Sequence, residues 1–112
     1  MMFLFAAALC FTVTATPVRT IDGDTFDAVV SYWLNTQSTE RIRVLNIDTP
    51  EMKKATMVRA LQAKAFTAQW LDKGPFQIDV CRRDVFGRLL AVVFRGDEVL
   101  ADELRKAGHV KK

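Results

Sequence analysis

The sequence predicts a mainly β protein of the α+β class, a small closed or nearly closed barrel of five strands carrying two packed helices, in the order β-β-β-α-β-β-α. Short runs rich in β-branched and aromatic residues are punctuated by turn signals, which reads as strands. One longer segment carries apolar residues at helical spacing, and a second, shorter one is closed by glycine. The connections between these elements are short, and no repeat, low-complexity tract or linker divides the 112 residues.

Val18 to Asp22 and Thr25 to Leu34 read as two strands joined at Asp22-Gly23-Asp24. Asp-Gly between such runs is a hairpin signal, because glycine accepts the positive φ of a tight turn. The polar stretch Asn35 to Thr39 leads into a third strand, Arg41 to Ile47, which Pro50 stops because it offers no donor to the ladder. From Met57 to Lys73 the residues Val58, Leu61, Ala65, Ala68 and Leu71 recur every three or four positions and predict one apolar helix face. Gly74-Pro75 ends that helix. Phe76 to Cys81 and Leu89 to Phe94 read as strands, and Val99 to Ala107 as a last helix closed by Gly108.

Composition narrows the chemistry. Half the residues are hydrophobic and 26% are charged, which fits one folded domain. Sixteen Lys and Arg against 13 Asp and Glu give a net charge of +3, which suits a polyanionic partner without requiring one. His109 is the sole histidine and reads as a solvated tail residue, so paired histidines cannot divide acid and base duties. The two cysteines, Cys10 and Cys81, have no zinc spacing. Since Cys10 lies in a segment that export processing would remove, no disulfide framework is expected.

That segment, MMFLFAAALCFTVTA, carries no charged side chain. It is too short to span a bilayer, which needs ~20 apolar residues. It has the character of a signal-peptide core, with Val13-Thr14-Ala15 as the small-residue cleavage site. Residues 1–15 are therefore assigned as a signal peptide or apolar leader and 16–112 as the folded domain, which places the protein in the periplasm or outside the cell. The competing expectation is that the segment begins the first strand.

Four carboxylates fall in two tight turns, Asp22 and Asp24 in the first, Asp48 and Glu51 in the second. Each has a bland explanation in turn chemistry or in a helix start. Arg43 is harder to dismiss, because it lies among Ile42, Val44, Leu45 and Ile47, where a guanidinium is costly unless an anion meets it. Arg88 follows another turn, Asp84-Val85-Phe86-Gly87. Carboxylates bind hard cations through oxygen, and arginines grip phosphate oxygens in bidentate fashion. Phosphodiester hydrolysis is one reaction that such a combination serves.

Three stretches, Ile21-Asp22-Gly23-Asp24-Thr25, then Arg43 to Glu51 (RVLNIDTPE), then Asp84-Val85-Phe86-Gly87-Arg88, resemble in order the signature blocks of the staphylococcal nuclease family. The similarity runs from about Val18 to Val110. It implies an OB-fold barrel and a calcium-dependent nuclease that acts on DNA and/or RNA and leaves 3′-phosphate ends. By position it implies Asp24 and Asp48 as calcium ligands, with the backbone carbonyl of Thr49. Asp22 would lie close behind them. Glu51 would hold the attacking water as general base, and Arg43 and Arg88 would clamp the phosphate. Phe86 replaces a family tyrosine, and the turn after Glu51 is a few residues shorter. The family's third helix and its nucleotide-packing tyrosines have no counterpart in residues 1–112, so base contacts are expected to differ. The alternative is a catalytically inactive nucleic-acid or peptide-binding module on the same barrel. A monomer without stable membrane insertion is expected. Trp33 and Trp70 read as packing residues. Lys53, Lys54, Arg59 and Lys64 either steer a polyanion or form a solvated face.

Overall fold

The computed structural model describes residues 10–111. Six strands, β1 (Phe11–Asp22), β2 (Thr25–Ser31), β3 (Gln37–Val44), β4 (Phe76–Arg83), β5 (Leu89–Arg95) and the short β6 (Glu98–Val99), form one sheet in the order β3-β2-β1-β4-β5-β6. A parallel pairing of β3 with β5 joins the ends and closes the first five strands into a barrel. Helix α1 (Met57–Asp72) lies between β3 and β4, and α2 (Leu100–Lys106) follows β6. The expected mainly β, five-stranded OB-fold barrel with two helices is what the chain forms. No described helix is long and apolar enough to cross a membrane.

The interior follows from alternation. Phe26, Ala28 and Val30 of β2, Ile42 and Val44 of β3, Ile78 and Val80 of β4, and Ala91 and Val93 of β5 point inward and are buried. Phe76 meets Phe26 edge-on at 6.0 Å and Trp70 at 6.1 Å, closing one end of the barrel.

Four expectations change. The apolar face of α1 is not the one the spacing suggests, for Val58 is 70% and Leu61 50% exposed. The buried stripe is Ala60, Ala63, Thr67 and Trp70, with Leu71 common to both. Both stripes have helical spacing, and close approach decides between them. Small residues let the helix reach the β1–β2 turn, where Thr67 Oγ1 donates to the Gly23 carbonyl at 2.6 Å. Gly23 itself does not take a positive φ. It is required for room, because a Cβ there would meet Thr49 Cγ2 at 2.7 Å and Ala63 Cβ at 2.8 Å. Trp33 is 70% exposed rather than packed, while Trp70 is in the core. His109 is half-buried, its ring 5.1 Å from that of Phe66, not a solvated tail residue.

The start of the barrel also differs. The boundary expected after Ala15 falls inside β1, and residues 1–9 of the leader lie outside the described residues. Pro17 interrupts the strand pattern in the sequence, but the chain passes it with a register shift between Pro17 and Arg19. The pairing of β1 with β4 lies wholly within Phe11 to Ala15, opposite Val80 to Phe76. Cys10, just before it, is disulfide-bonded to Cys81, contrary to the expectation of no disulfide.

Candidate active site

Register brings the predicted residues to one end of the barrel. Asp22 and Asp24 flank the β1–β2 turn. Thr25 of β2 pairs with Arg43 of β3, and Arg43 pairs in turn with Leu90 of β5. Arg88, which immediately precedes β5, therefore arrives beside Arg43. The two arginines line one cavity of about 390 Å³ with Leu45, Ile47, Asp48 and Leu90. Asn46, in the left-handed region at φ 72°, turns the chain so that Asp48 faces this cavity.

Arg43 meets the anions its apolar strand demands. Its Nη1 donates to the carbonyls of Val44 at 2.6 Å and Ile47 at 2.9 Å. Its Nη2 pairs with Asp48 Oδ1 and stands 3.5 Å from Asp24 Oδ2. Asp24 also accepts the Thr49 amide at 3.0 Å and the Thr25 hydroxyl at 3.1 Å. Burial pushes the Asp24 carboxyl up, but Asp22, the Thr49 amide, the Arg43 charge and the Thr25 hydroxyl together hold it below its ordinary value.

Asp22 accepts the Asp24 amide at 3.1 Å. Its own carboxyl is driven from 3.8 to about 6, first by burial and then by the neighbouring Asp24. A carboxyl raised on folding favours the folded state at low pH, and that contribution is lost as pH rises from about 4 through about 6. Asp22→Asn keeps the Oδ1 acceptor and removes the charge. In a chelator it is expected to melt higher than the parent at pH 7 and to match it below pH 4. Equal melting temperatures at pH 7 would contradict a half-buried, charged Asp22.

Asp84 was legible only as a turn residue, yet it sets Arg88. It accepts the amides of Phe86 and Arg88, both at 2.9 Å, and the Arg88 Nε at 2.7 Å. The signal was present as an aspartate opening a tight turn four residues before an arginine. Phe86 is 80% exposed, and the Arg88 guanidinium lies 5.5 Å from its ring centre. Nothing in the sequence singles out Thr25, which supports Asp24, or Lys111, which pairs with Glu51.

Glu51 is not in the arginine cavity. It lies in a neighbouring cleft with Pro50, Lys53, Thr56, Arg59 and Lys111. Lys111 Nζ is 2.6 Å from its Oε2 and Lys53 Nζ 3.3 Å from its Oε1. Lys53 and Arg59 of the expected basic group thus border the site, while Lys64 lines a separate groove beside β1.

Among the described residues no three His, Cys, Asp or Glu side chains gather as a metal cluster. The donor chemistry nevertheless fits a hard cation. One positively charged nitrogen, Arg43 Nη2, lies within ion-pair distance of both Asp24 and Asp48, so the two carboxylates already share one cation position.

Residues 41–111 match the family described as staphylococcal nuclease homologue. The chain is 34% identical to a thermonuclease from Staphylococcus intermedius over 95 residues, 80% of this chain and 54% of that protein. It is also 34% identical to Protein ParB from Escherichia coli over 102 residues, 83% of this chain and 53% of that one. The chain thus spans about half the length of the relatives it matches. The family match, the thermonuclease relative and the barrel show that this chain belongs to the staphylococcal nuclease family.

Proposed function

We propose that the protein is a calcium-dependent nuclease that hydrolyses phosphodiester bonds of DNA and/or RNA and leaves 3′-phosphate ends. The observation that carries this reading is the pair Arg43 and Arg88 lining one cavity with Asp48, beside Asp24. Two guanidiniums on one wall suit the non-bridging oxygens of a phosphodiester, whose negative charge grows in the transition state. Asp24, Asp48 and the Thr49 carbonyl would hold calcium, with Asp22 behind them. Bound there, the ion would add Lewis-acid stabilisation of the same oxygens. Glu51 takes a proton from the attacking water as the water oxygen bonds to phosphorus, and the 5′-oxygen leaves in line and takes up a proton from solvent.

The test is digestion of plasmid DNA and of RNA by the full chain with calcium, with magnesium alone, and with a chelator. Cleavage with calcium, little or none with magnesium, and loss on chelation are expected. Undiminished cleavage in chelator would overturn the metal role. Nucleic-acid binding without cleavage under every condition would instead support the inactive binding module.

The disulfide supports a location outside the cytoplasm, secreted or periplasmic, because such bonds persist in oxidising compartments. The proposed exported form retains Cys10 and acts as a monomer. N-terminal sequencing of protein recovered from the periplasm or medium tests this, with a start at or before Cys10 expected.

A further inference from the structure

The segment after α2 is strapped across the acidic side of the site. Gly108, at φ 83°, reverses the chain, and His109 N donates to the Leu104 carbonyl at 2.9 Å. The Val110 carbonyl accepts Arg59 Nη2 at 2.8 Å, and the Lys111 amide donates to the Asp48 carbonyl at 2.8 Å. These anchors fix the Lys111 backbone to one of the two acids that share a cation position. Its side chain then reaches Glu51 at 2.6 Å, while Lys53 faces the other carboxylate oxygen. Glu51 is thereby held outside the cavity that Arg43 and Arg88 line.

We propose that Lys111 is a positioning residue for Glu51, an internal counter-ion that holds this carboxylate at the rim of the site and gives it up when a divalent cation binds between Asp24 and Asp48. The inference rests on the metal and base assignments of the proposed function. The physical reason is competition between like charges. An ammonium tethered through the Asp48 backbone and a divalent ion on the Asp48 carboxylate repel one another, and each favours a nearby Glu51 carboxylate. A free lysine would swing away at little cost. Here three backbone contacts of the strap hold the Lys111 Cα beside the acids, so its ammonium stays within reach of them. Because Lys111 and Glu51 are both about half exposed, the effect is modest and sensitive to salt.

Calcium titration calorimetry on the full chain, without nucleic acid, tests it. Lys111→Met is expected to tighten calcium binding about three- to ten-fold at low salt, with the difference shrinking at high salt. Lys111→Arg, which keeps the charge, should bind as the parent does. In a Glu51→Gln background the gain from Lys111→Met should be smaller than in the parent, because only the direct repulsion between ammonium and ion is then relieved and no carboxylate is freed. Unchanged or weaker calcium binding in Lys111→Met, whether or not the melting temperature drops, would overturn the proposal and mark Lys111 as merely structural. An undiminished gain in the Glu51→Gln background would overturn the link to Glu51. If the parent binds no calcium, the metal assignment itself fails and takes this proposal with it. Calcium binding by the parent without any nuclease activity would leave the coupling standing and overturn only the proposed reaction.

Discussion

Arg43→Lys is expected to lower turnover by about 100-fold or more, in line with losing one preorganised electrostatic donor. Lysine keeps the charge but not the planar fork, so it cannot hold two phosphate oxygens at once. Arg88→Ala should cost a similar factor, and Asp24→Ala should weaken calcium binding as well as turnover. On the sequence alone, replacing Arg43 is expected to leave stability unchanged or improved, because its charge sits at an otherwise apolar strand end. The structure gives a different expectation. Arg43 bonds the carbonyls of Val44 and Ile47 and pairs with Asp24 and Asp48, with its side chain only 20% exposed. Lysine leaves some of those acceptors unmet, so a stability loss on the order of 1–3 kcal/mol should accompany the loss of rate. Arg88→Ala separates the two effects, because Asp84 keeps the amides of Phe86 and Arg88. Turnover per folded molecule at saturating calcium, measured beside the melting temperature, decides the matter. Near-parental turnover in Arg43→Lys would refute the phosphate clamp.

What the sequence conveyed and what it withheld divide along a physical line. Strand positions β2, β4 and β5 were legible because alternation and β-branched residues reflect a barrel wall buried on one face. Arg43 is legible because a guanidinium on an apolar strand is conspicuous, whereas Asp24, Asp48 and Arg88 stand out only in combination with it and through the resemblance to the family's blocks. The buried side of α1 was not legible, since Val58 and Leu61 are as apolar as Ala60 and Ala63. Only the close approach of Gly23 selects the small residues, and that is a tertiary fact. Lys111 was illegible for a related reason. Its partner Glu51 lies 60 positions away, and nothing local marks one lysine in a basic tail as fixed. In the sequence Cys10 sits in what resembles a removable leader, whereas its meaning lies in the strand that follows it.

That strand gives the largest stability effect expected here. Residues Phe11 to Ala15 supply every β1–β4 pair, so they alone close the barrel between the β1–β2 hairpin and β4. Ala15 is buried, and Val13 packs against the core. The Cys10–Cys81 bond locks this seam and spans 71 residues. A loop of that size, restricted in the unfolded chain, is worth roughly 4 kcal/mol in the chain-entropy account. The double variant Cys10→Ser/Cys81→Ser is therefore expected to lose most of that amount in urea unfolding, while its β1–β4 pairs remain. A fragment beginning at Thr16 loses both the bond and the seam, exposing the inward faces of Phe76, Ile78 and Val80, and should not reach the native fold. Amide exchange gives the sharper readout. In the double variant, the amides of Phe76 to Val80 should exchange faster than those of β2 and β3. If the fragment from Thr16 instead melts cooperatively near the temperature of the full chain, the seam is dispensable. Cleavage after Ala15 would then be compatible with the folded barrel.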